Sequence, residues 1–314
     1  MKFLAVFISF SMVFSVILSG CVNADENALR KESRQQEASS DIAQAVTAKG
    51  SEETRVDLFI EGRRTAIWVP PSSAPKPWPL VVYSHGYHGC NDLSDFLTEA
   101  LARHGYLVVA PDHPDAYCGE AFKKAFFSTP DREANFSDNE AFNPDIYRGR
   151  VVDINIIIDK LRQNSDLAPI VEWDNIGLIG HSLGGYTVLG MGGAWKEWKM
   201  PEVKAILAVS PLCTVFMHHK TLKNIDVPVM YQGGTWDGPL TEAIKEKDGC
   251  YEQMTSPTYF VNLRRAGHFA WTDIFSAHHD TIILYSQWFF DYYMKDKRKK
   301  IPEGVRQAVE VWQK

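Results

Sequence analysis

The chain has 314 residues, of which 45% are hydrophobic and 12% aromatic, so it can bury a sizeable core. Its formal net charge of −6 at pH 7 gives no general electrostatic case for nucleic acid as a partner. Beyond the first 54 residues, the remaining length fits one α/β domain of about 260 residues.

The N-terminus has the pattern of a secretory leader. Lys2 precedes an apolar run from Phe3 to Leu18, which is short for a membrane span but suits the core of a signal peptide. The run ends in Leu18-Ser19-Gly20-Cys21, which resembles the bacterial lipobox. This resemblance implies that residues 1–20 are removed and that acyl chains on Cys21 anchor the protein to a membrane of the bacterial cell envelope, outside the cytoplasm. The alternative is an ordinary secretory signal with an incidental cysteine.

Residues 21–54 are predicted to be the lipidated cysteine and a disordered tether. They are rich in Glu, Gln, Ser, Ala, Asp and Lys and contain no aromatic residue. Such a segment cannot bury enough apolar surface to offset the entropy lost on ordering.

Residues 55–314 are predicted to form the domain, which opens with two strands, Arg55–Ile60 and Arg64–Val69, joined at Glu61-Gly62-Arg63. Leu80–Tyr83 reads as a strand buried on both faces, and it runs into the glycine-containing loop Ser84-His85-Gly86-Tyr87-His88-Gly89. Asn91 is predicted to cap a helix that extends through Arg103, and Tyr106–Ala110 is the next buried strand. The alternation of strand, helix and strand favours a parallel sheet.

The second half of the chain continues this alternation. Residues 115–143, with Phe122, Phe126 and Phe127, show no clean period and are interpreted as an insertion that shapes a pocket. Helices are predicted over Pro144–Leu161 and His278–Met294, and further buried strands over Val203–Val209, Val227–Tyr231 and Thr258–Leu263.

The central feature is a serine boxed between glycines. A strand over Ile176–Ile179 leads into Gly180-His181-Ser182-Leu183-Gly184-Gly185, and a helix is predicted to follow through Gly193. This order is typical of a nucleophile elbow, in which the serine has disfavoured backbone angles and the glycines remove clashes.

Two polar loops downstream supply candidate partners for the serine. The strand ending at Tyr231 precedes Gly233-Gly234-Thr235-Trp236-Asp237-Gly238, and the last strand precedes Arg265-Ala266-Gly267-His268-Phe269. Asp237 is the first candidate for the group that orients His268, and Asp248 or Glu242 remain alternatives. Asp273 is predicted to cap the helix after His268.

The order Ser, Asp, His and these loops resemble the α/β-hydrolase superfamily over about residues 55–300. The likeness is strongest to dienelactone hydrolase-like and platelet-activating factor acetylhydrolase-like esterases, and more distant to cutinase-type polyester hydrolases. A helix reading Arg150-Val151-Val152-Asp153 also matches. Val151 stands where those families often have proline, a departure expected to lie far from the chemistry.

The resemblance implies an α/β-hydrolase fold, a mostly parallel twisted sheet with helices on both faces. It implies Ser182 as nucleophile, His268 as general base and acid, Asp237 as orienter of the imidazole, and the backbone amides of Tyr87 and Leu183 as the oxyanion hole. The expected activity is hydrolysis of a small-molecule or lipid carboxylic ester through an acyl-enzyme, without a cofactor. The alternatives are a peptidase or thioesterase with the same residues, or a non-catalytic binding lipoprotein.

Four further cysteines are expected to enter an oxidising compartment after export. They allow three pairings, of which Cys90 with Cys118 and Cys213 with Cys250 are preferred, because each pair follows strands that are neighbours in the implied fold. Four free thiols are the alternative.

Two other groups of side chains invite a functional interpretation. His85, His88 and His113 fall on loops at one sheet edge, but they lack the ligand spacing of a zinc site, so no metal is predicted. Trp236 and Trp271 flank the candidate acid and base, and they are interpreted either as pocket lining or as plain packing.

Overall fold

The computed structural model describes residues 55–119, 121 and 133–314. The predictions for residues 1–54, Cys21 among them, and for Phe122, Phe126 and Phe127 lie outside the described residues.

A single sheet organises the described part of the chain. Its nine strands have the order β1-β2-β4-β3-β5-β6-β7-β8-β9. The pairings from β4 through β3, β5, β6 and β7 to β8 are all parallel, whereas β1 with β2, β2 with β4, and β8 with β9 pair antiparallel. The strands are β1 (Arg55–Ile60), β2 (Arg63–Trp68), β3 (Trp78–Ser84), β4 (Leu107–Pro111), β5 (Val171–His181), β6 (Val203–Val209), β7 (Val229–Gly234), β8 (Thr258–Leu263) and β9 (Ala308–Gln313).

Helices cover both faces of this sheet, as the sequence predicts. They are α1 (Asp95–Arg103), α2 (Arg148–Arg162), α3 (Leu183–Leu189), α4 (Thr214–His219), α5 (Gly238–Lys245), α6 (Cys250–Gln253) and α7 (His279–Met294). A π-helical turn, Gly190–Ala194, continues α3, and short 3₁₀ turns cover Asn139–Ala141, Lys196–Trp198, Leu222–Asn224, His268–Trp271 and Ser276–His278. None of the helices within the described residues is long and apolar enough to cross a bilayer.

Two hydrophobic cores lie on opposite faces of the sheet. Alternate side chains of β3 show the division, since Val81 and Tyr83 join the core built with α1 and α7, whereas Leu80 and Val82 join the core built with α2 and α3. All seven residues of β3 are buried, which explains why its sequence is a continuous apolar run and does not alternate.

The N-terminal hairpin forms as predicted. Glu61 and Gly62 have positive φ angles of 49° and 81°, and Ile60 pairs with Arg63 across the turn. Positive φ at both central residues matches the right-handed twist of the flanking strands, so this two-residue turn fixes the register of β1 against β2.

The start of α1 differs from the prediction. The helix begins at Asp95, and the carboxylate of Asp273 accepts hydrogen bonds from the amides of Asp95 (2.6 Å) and Phe96 (3.2 Å). Asn91 is therefore not the cap of this helix. Asp273 was predicted to cap the helix after His268, but it caps α1, which is distant in sequence. The reason is that the loop after β8 crosses the N-terminal end of α1.

Candidate active site

The candidate nucleophile lies on a sharp turn between β5 and α3. Ser182 has φ 55° and ψ −116°, outside the conformations that a non-glycine residue commonly adopts. Its amide donates to Val209 O (3.2 Å), and its carbonyl accepts from Leu212 N (2.9 Å). Backbone bonds to the loop after β6 thus hold the strained turn, which is the condition under which such strain persists.

Two glycines permit this turn, as the sequence predicts. A Cβ on Gly180 would overlap the backbone of Gly184, and a Cβ on Gly184 would overlap the carbonyl oxygen of Ser84. A third glycine, Gly86, brings the loop after β3 against the elbow, because a Cβ there would lie 3.2 Å from Ser182 Cβ. The loop that carries Tyr87 therefore borders the serine directly.

The structure brings Ser182, His268 and Asp237 together. Ser182 Oγ lies 3.0 Å from His268 Nε2, and His268 Nδ1 lies 3.1 Å from Asp237 Oδ1. The carboxylate can only accept, so Nδ1 carries the proton and Nε2 is left to accept the Ser182 hydroxyl. The His268 side chain is 30% exposed, whereas that of Asp237 is 3% exposed.

Asp237, and neither Asp248 nor Glu242, faces the imidazole. It follows β7 directly and immediately precedes α5, and its amide donates to Gly234 O (2.9 Å). Its second oxygen, Oδ2, accepts from Ser210 Oγ at 2.6 Å and from Thr241 Oγ1 at 3.5 Å.

A buried arginine holds the loop that follows β3. Arg150 is 1% exposed, and it donates to the carbonyls of His85 (2.7 Å) and Gly86 (3.3 Å). It also makes a two-pronged ion pair with Asp115, at 3.0 and 2.6 Å, and Asp115 accepts the amide of His88 at 3.3 Å. Burial by itself would raise the pKa of Asp115, but the guanidinium outweighs it and holds that pKa well below its usual range.

Two neutral histidines pack beneath the same loop. His85 Nε2 accepts the amide of His113 (3.0 Å), so Nδ1 carries the proton and donates to Gly86 O (2.7 Å). His113 Nδ1 donates to Asp153 at 3.3 Å. Burial holds the pKa of both imidazoles well below the ordinary value. They serve as structural hydrogen-bonding groups of the loop.

His181, the residue before the serine, fastens the segment that carries His268. Its Nε2 donates to the backbone carbonyl of His268 at 2.8 Å. Burial and the nearby His268 lower the pKa of His181 to about 3, so it stays neutral. Its Nδ1 points at Gly86, where an added Cβ would lie at 3.1 Å.

A cavity of about 520 Å³ opens at Ser182 and His268. Tyr87 and Leu183 both border it, which places the two candidate oxyanion residues beside the serine. Part of the segment interpreted as an insertion contributes to its wall. The other lining residues are Gly86, His88, Leu93, Phe136, Ser137, Asn139, His181, Leu212, Thr214, Pro239, Leu240 and Phe269.

Neither tryptophan lines this cavity. Trp271 is fully buried and donates to Gln232 Oε1 at 2.9 Å, whereas the Trp236 side chain is 70% exposed beside Arg265. The pocket-lining interpretation of these two residues is therefore wrong, because neither is among the residues that line the cavity.

One of the two predicted disulfides is present. Cys213 and Cys250 are bonded and join the start of α4 to α6, whereas Cys90 and Cys118 are free. The prediction of a disulfide bond between Cys90 and Cys118 is therefore wrong. Cys90 Sγ instead donates a hydrogen bond to Asp92 Oδ1 (2.9 Å).

The two free thiols nevertheless lie close together, beside a carboxylate. Sγ of Cys90, Sγ of Cys118 and an oxygen of Asp112 all lie within 4.8 Å of one another. Arg64 is 3.2 Å from Cys118 Sγ and 3.6 Å from Asp112, so its guanidinium already supplies a positive charge to this group.

The chain is similar to two groups of known proteins. The model of the family described as platelet-activating factor acetylhydrolase, isoform II, matches residues 42–140, which include the loop after β3 but not Ser182, Asp237 or His268. A crystal structure of dienelactone hydrolase from Anabaena variabilis superposes with a TM-score of 0.54 at 16% identity, over 77% of this chain and all of that one. No curated protein matches the sequence.

The fold is that of an α/β-hydrolase. Together, the family match and the fold support an esterase-type hydrolase. The candidate nucleophile, base and acid follow β5, β8 and β7 at the edge where parallel strands end, which is where open α/β sheets bind ligands.

The sequence did not reveal the positions of two residues at this candidate site. Ser210 lies between His268 and Asp237, and Arg150 lies under the loop of Tyr87. Arg150 directly precedes Val151, which itself packs in the hydrophobic core. The signal for Arg150 was a charged residue on the apolar face of α2, whereas a serine after a strand gives no such signal.

Proposed function

We propose that the chain is a serine hydrolase that cleaves carboxylic esters through an acyl-enzyme intermediate. The observation that carries the proposal is the 3.0 Å contact between Ser182 Oγ and His268 Nε2, on a strained elbow that borders a cavity. A serine hydroxyl attacks slowly unless a base takes its proton and a further group orients that base. The hydrogen bond from His268 Nδ1 to Asp237 supplies the orientation.

In the proposed reaction, Ser182 Oγ attacks the ester carbonyl while His268 Nε2 accepts its proton. The amides of Tyr87 and Leu183 stabilise the oxyanion, and each such donor is worth about 3 kcal/mol in the transition state. The imidazolium then protonates the departing alkoxide, which leaves as the alcohol. Water then attacks the acyl-serine while His268 takes one of its protons. The bond between the acyl carbon and Ser182 Oγ breaks to release the carboxylic acid, and His268 returns the proton to Ser182 Oγ.

The cavity favours an uncharged ester. Among the described residues that line it there is no Asp, Glu, Lys or Arg, and its polar groups are imidazoles, hydroxyls and one amide besides the backbone. A charged acyl group would lose its hydration there without gaining an ion pair, which is costly. We therefore expect neutral acyl and alcohol groups to be preferred.

Hydrolysis of p-nitrophenyl butyrate tests the proposal, with p-nitrophenyl hemisuccinate as an anionic ester of similar length. The purified chain is expected to hydrolyse the butyrate ester with a kcat/KM at least about tenfold higher than for the hemisuccinate. Ser182→Ala is expected to reduce turnover by three orders of magnitude or more. Ser165→Ala, which makes the same substitution at an exposed serine outside the cavity lining, is expected to keep turnover within about threefold.

Three other outcomes of this hydrolysis assay would contradict the proposed ester hydrolase. A Ser182→Ala variant with the rate of the parent would refute the assignment of the nucleophile. Faster turnover of a thioester or an anilide peptide than of the ester would make the protein a thioesterase or a peptidase. Folded protein with no turnover of any of these substrates would favour a binding lipoprotein.

We also propose that the enzyme is anchored to the bacterial cell envelope through Cys21. The support is the apolar run that ends in Leu18-Ser19-Gly20-Cys21 and the polar segment that follows it. Growth of the expressing bacterium with an alkyne fatty acid is expected to label the parent chain but not Cys21→Ser. Equal labelling of both, or cleavage at a different residue, would contradict the proposal.

A further inference from the structure

Ser210 lies inside the group formed by Ser182, His268 and Asp237. It directly follows β6, is fully buried and has a φ of 44°, a conformation uncommon for a residue other than glycine. Its amide donates to Gln232 O at 2.7 Å, so the neighbouring strand β7 fixes its position.

The hydroxyl of Ser210 contacts both the acid and the base. It donates to Asp237 Oδ2 at 2.6 Å, and it lies 2.6 Å from His268 Nδ1. A hydroxyl has one proton, so a serine that donates to the carboxylate is an acceptor toward the imidazole. The proton on His268 Nδ1 is therefore shared between Ser210 Oγ at 2.6 Å and Asp237 Oδ1 at 3.1 Å.

The backbone around Ser210 does not need this hydroxyl to keep its shape. Val209 O accepts the amide of Ser182 at 3.2 Å, and the amide of Leu212 donates to Ser182 O at 2.9 Å. These two bonds tie the loop to the elbow on either side of Ser210. The hydroxyl makes its hydrogen bonds to the acid and the base, which indicates that its effect is on the orientation of the imidazole.

We propose that Ser210 is a positioning residue, whose hydroxyl bridges Asp237 and His268 and holds the imidazole with Nε2 directed at Ser182. This inference rests on the proposed serine-hydrolase function and adds a fourth side chain to it. Ser210 is not among the described residues that line the cavity, and its hydroxyl contacts Asp237 and His268. When Nε2 accepts the proton of Ser182, Nδ1 keeps both acceptors, so the imidazolium forms without rearrangement of its neighbours.

Two substitutions separate this role from a structural one. Ser210→Ala removes the hydroxyl and keeps the positive φ, whereas Ser210→Gly removes the hydroxyl and suits the positive φ. Both are expected to lower kcat for p-nitrophenyl butyrate by roughly 10- to 100-fold, with KM within about twofold of the parent. Ser210→Gly is expected to have a melting temperature equal to or above that of Ser210→Ala. The loss of kcat would then be similar in the two variants although their stabilities differ, which separates the effect on activity from an effect on stability.

The matched control is Ser286→Ala. Ser286 is also fully buried, but its hydroxyl donates to Ile282 O and contacts Gln232, away from the acid and the base. This variant is expected to keep kcat while losing some stability. A parent-like kcat in Ser210→Gly, or an equal loss of kcat in Ser286→Ala, would overturn the inference.

A second measurement does not depend on turnover. The proton on His268 Nδ1 is expected to give a downfield proton NMR resonance that is absent in His268→Ala, shifted or broadened in Ser210→Gly, and unchanged in Ser286→Ala. An unchanged resonance in Ser210→Gly would overturn the inference. Failure of the proposed function has a different signature, which is no ester turnover by the parent or parent-like turnover by Ser182→Ala.

Discussion

At the level of single residues, the site depends on side chains that are held in one protonation state. His85, His113 and His181 are buried, and the pKa of each lies below its ordinary value of 6.5, that of His181 at about 3. Each one donates from one ring nitrogen to a fixed acceptor: Gly86 O, Asp153 and His268 O, respectively. Protonation of the other nitrogen would place a charge on a buried ring, which burial makes costly, and the nearby Arg150 guanidinium adds to that cost for His85 and His113.

These histidines make the stability depend on pH. In the unfolded chain these three histidines take up protons as the pH falls through 6.5, whereas in the folded chain they do so only at far lower pH. Their contribution to the free energy of unfolding is therefore fully present above about pH 6.5 and is lost progressively below it. The slope is up to about 1.4 kcal/mol per pH unit for each proton. Burial raises the pKa of four carboxyl groups, that of Asp95 to about 6 and those of Asp112, Asp153 and Asp273 above the ordinary 3.8, and these groups act in the opposite direction as they take up protons in the folded chain.

Urea unfolding between pH 5 and 8 checks this expectation, together with the imidazole NMR resonances of the folded chain. We expect the free energy of unfolding to fall from pH 7 to pH 5, and the three buried histidines not to titrate in that interval. Titration of all three near pH 6.5 in the folded state would contradict the assignment.

At the level of elements, α2 links the core to the loop of Tyr87 through Arg150. Arg150→Lys keeps the charge but loses the planar fork that reaches His85 O, Gly86 O and Asp115 together. We expect a loss of roughly tenfold or more in kcat for p-nitrophenyl butyrate, because the loop beside Ser182 is no longer held.

The ion pair also has a consequence for stability. Arg150→Met would leave the Asp115 carboxylate buried without its guanidinium counter-charge, at a cost of about 3–5 kcal/mol in the free energy of unfolding, and adding Asp115→Asn should recover part of it. Arg148→Met on the same helix, at a side chain 65% exposed, is the control and should change stability by less than about 1 kcal/mol. Equal effects of both arginine variants would show that the buried pair has no special role.

The cap of α1 gives a second expectation at this scale. Asp273→Ala removes the acceptor for the amides of Asp95 and Phe96, and we expect it to lower the free energy of unfolding by about 1 kcal/mol. Asn91→Ala is the comparison, since Asn91 does not cap the helix. Denaturant unfolding of the two variants decides between the two caps, and a larger loss in Asn91→Ala through fraying of α1 would favour the cap read from the sequence.

Features that are determined by neighbouring residues could be predicted from the sequence, whereas features that depend on contacts between distant segments could not. The buried strand β3 and the elbow at Ser182 were predictable because a continuous apolar run and fixed glycines are local signals. The cap at Asp273 was assigned to the wrong helix, and β9 was not predicted. Both are set by tertiary contact, since β9 is an edge strand of intermediate burial whose only strand partner is β8 within the described residues.

At the scale of the whole molecule, the fold brings distant loops to one edge of the sheet. The placement of Asp237 and His268 at this edge could be predicted from the sequence because each residue follows a predicted strand. Ser210 also follows a strand, but nothing in its sequence neighbourhood separates it from other serines, so its contacts with both residues emerge only from the packed structure.

The disulfide is a second feature at this scale. Cys213 and Cys250 are 37 residues apart, and closing a loop of that length stabilises a protein by roughly 2–4 kcal/mol. We expect the double variant Cys213→Ser/Cys250→Ser to lose about that much stability, and Cys90→Ser/Cys118→Ser to lose less. Non-reducing peptide mapping should find one linked pair, and a peptide joining Cys90 to Cys118 would contradict the structure.

The most direct test of the account is the covalent labelling of the native protein with a fluorophosphonate, followed by the intact mass and the site of the adduct. We expect one equivalent of label on Ser182, complete loss of labelling in Ser182→Ala, and slower labelling in Ser210→Gly because the base is less well oriented. Folded parent protein that takes up no label, or that carries it on another residue, would contradict the assignment of this site as that of a serine hydrolase.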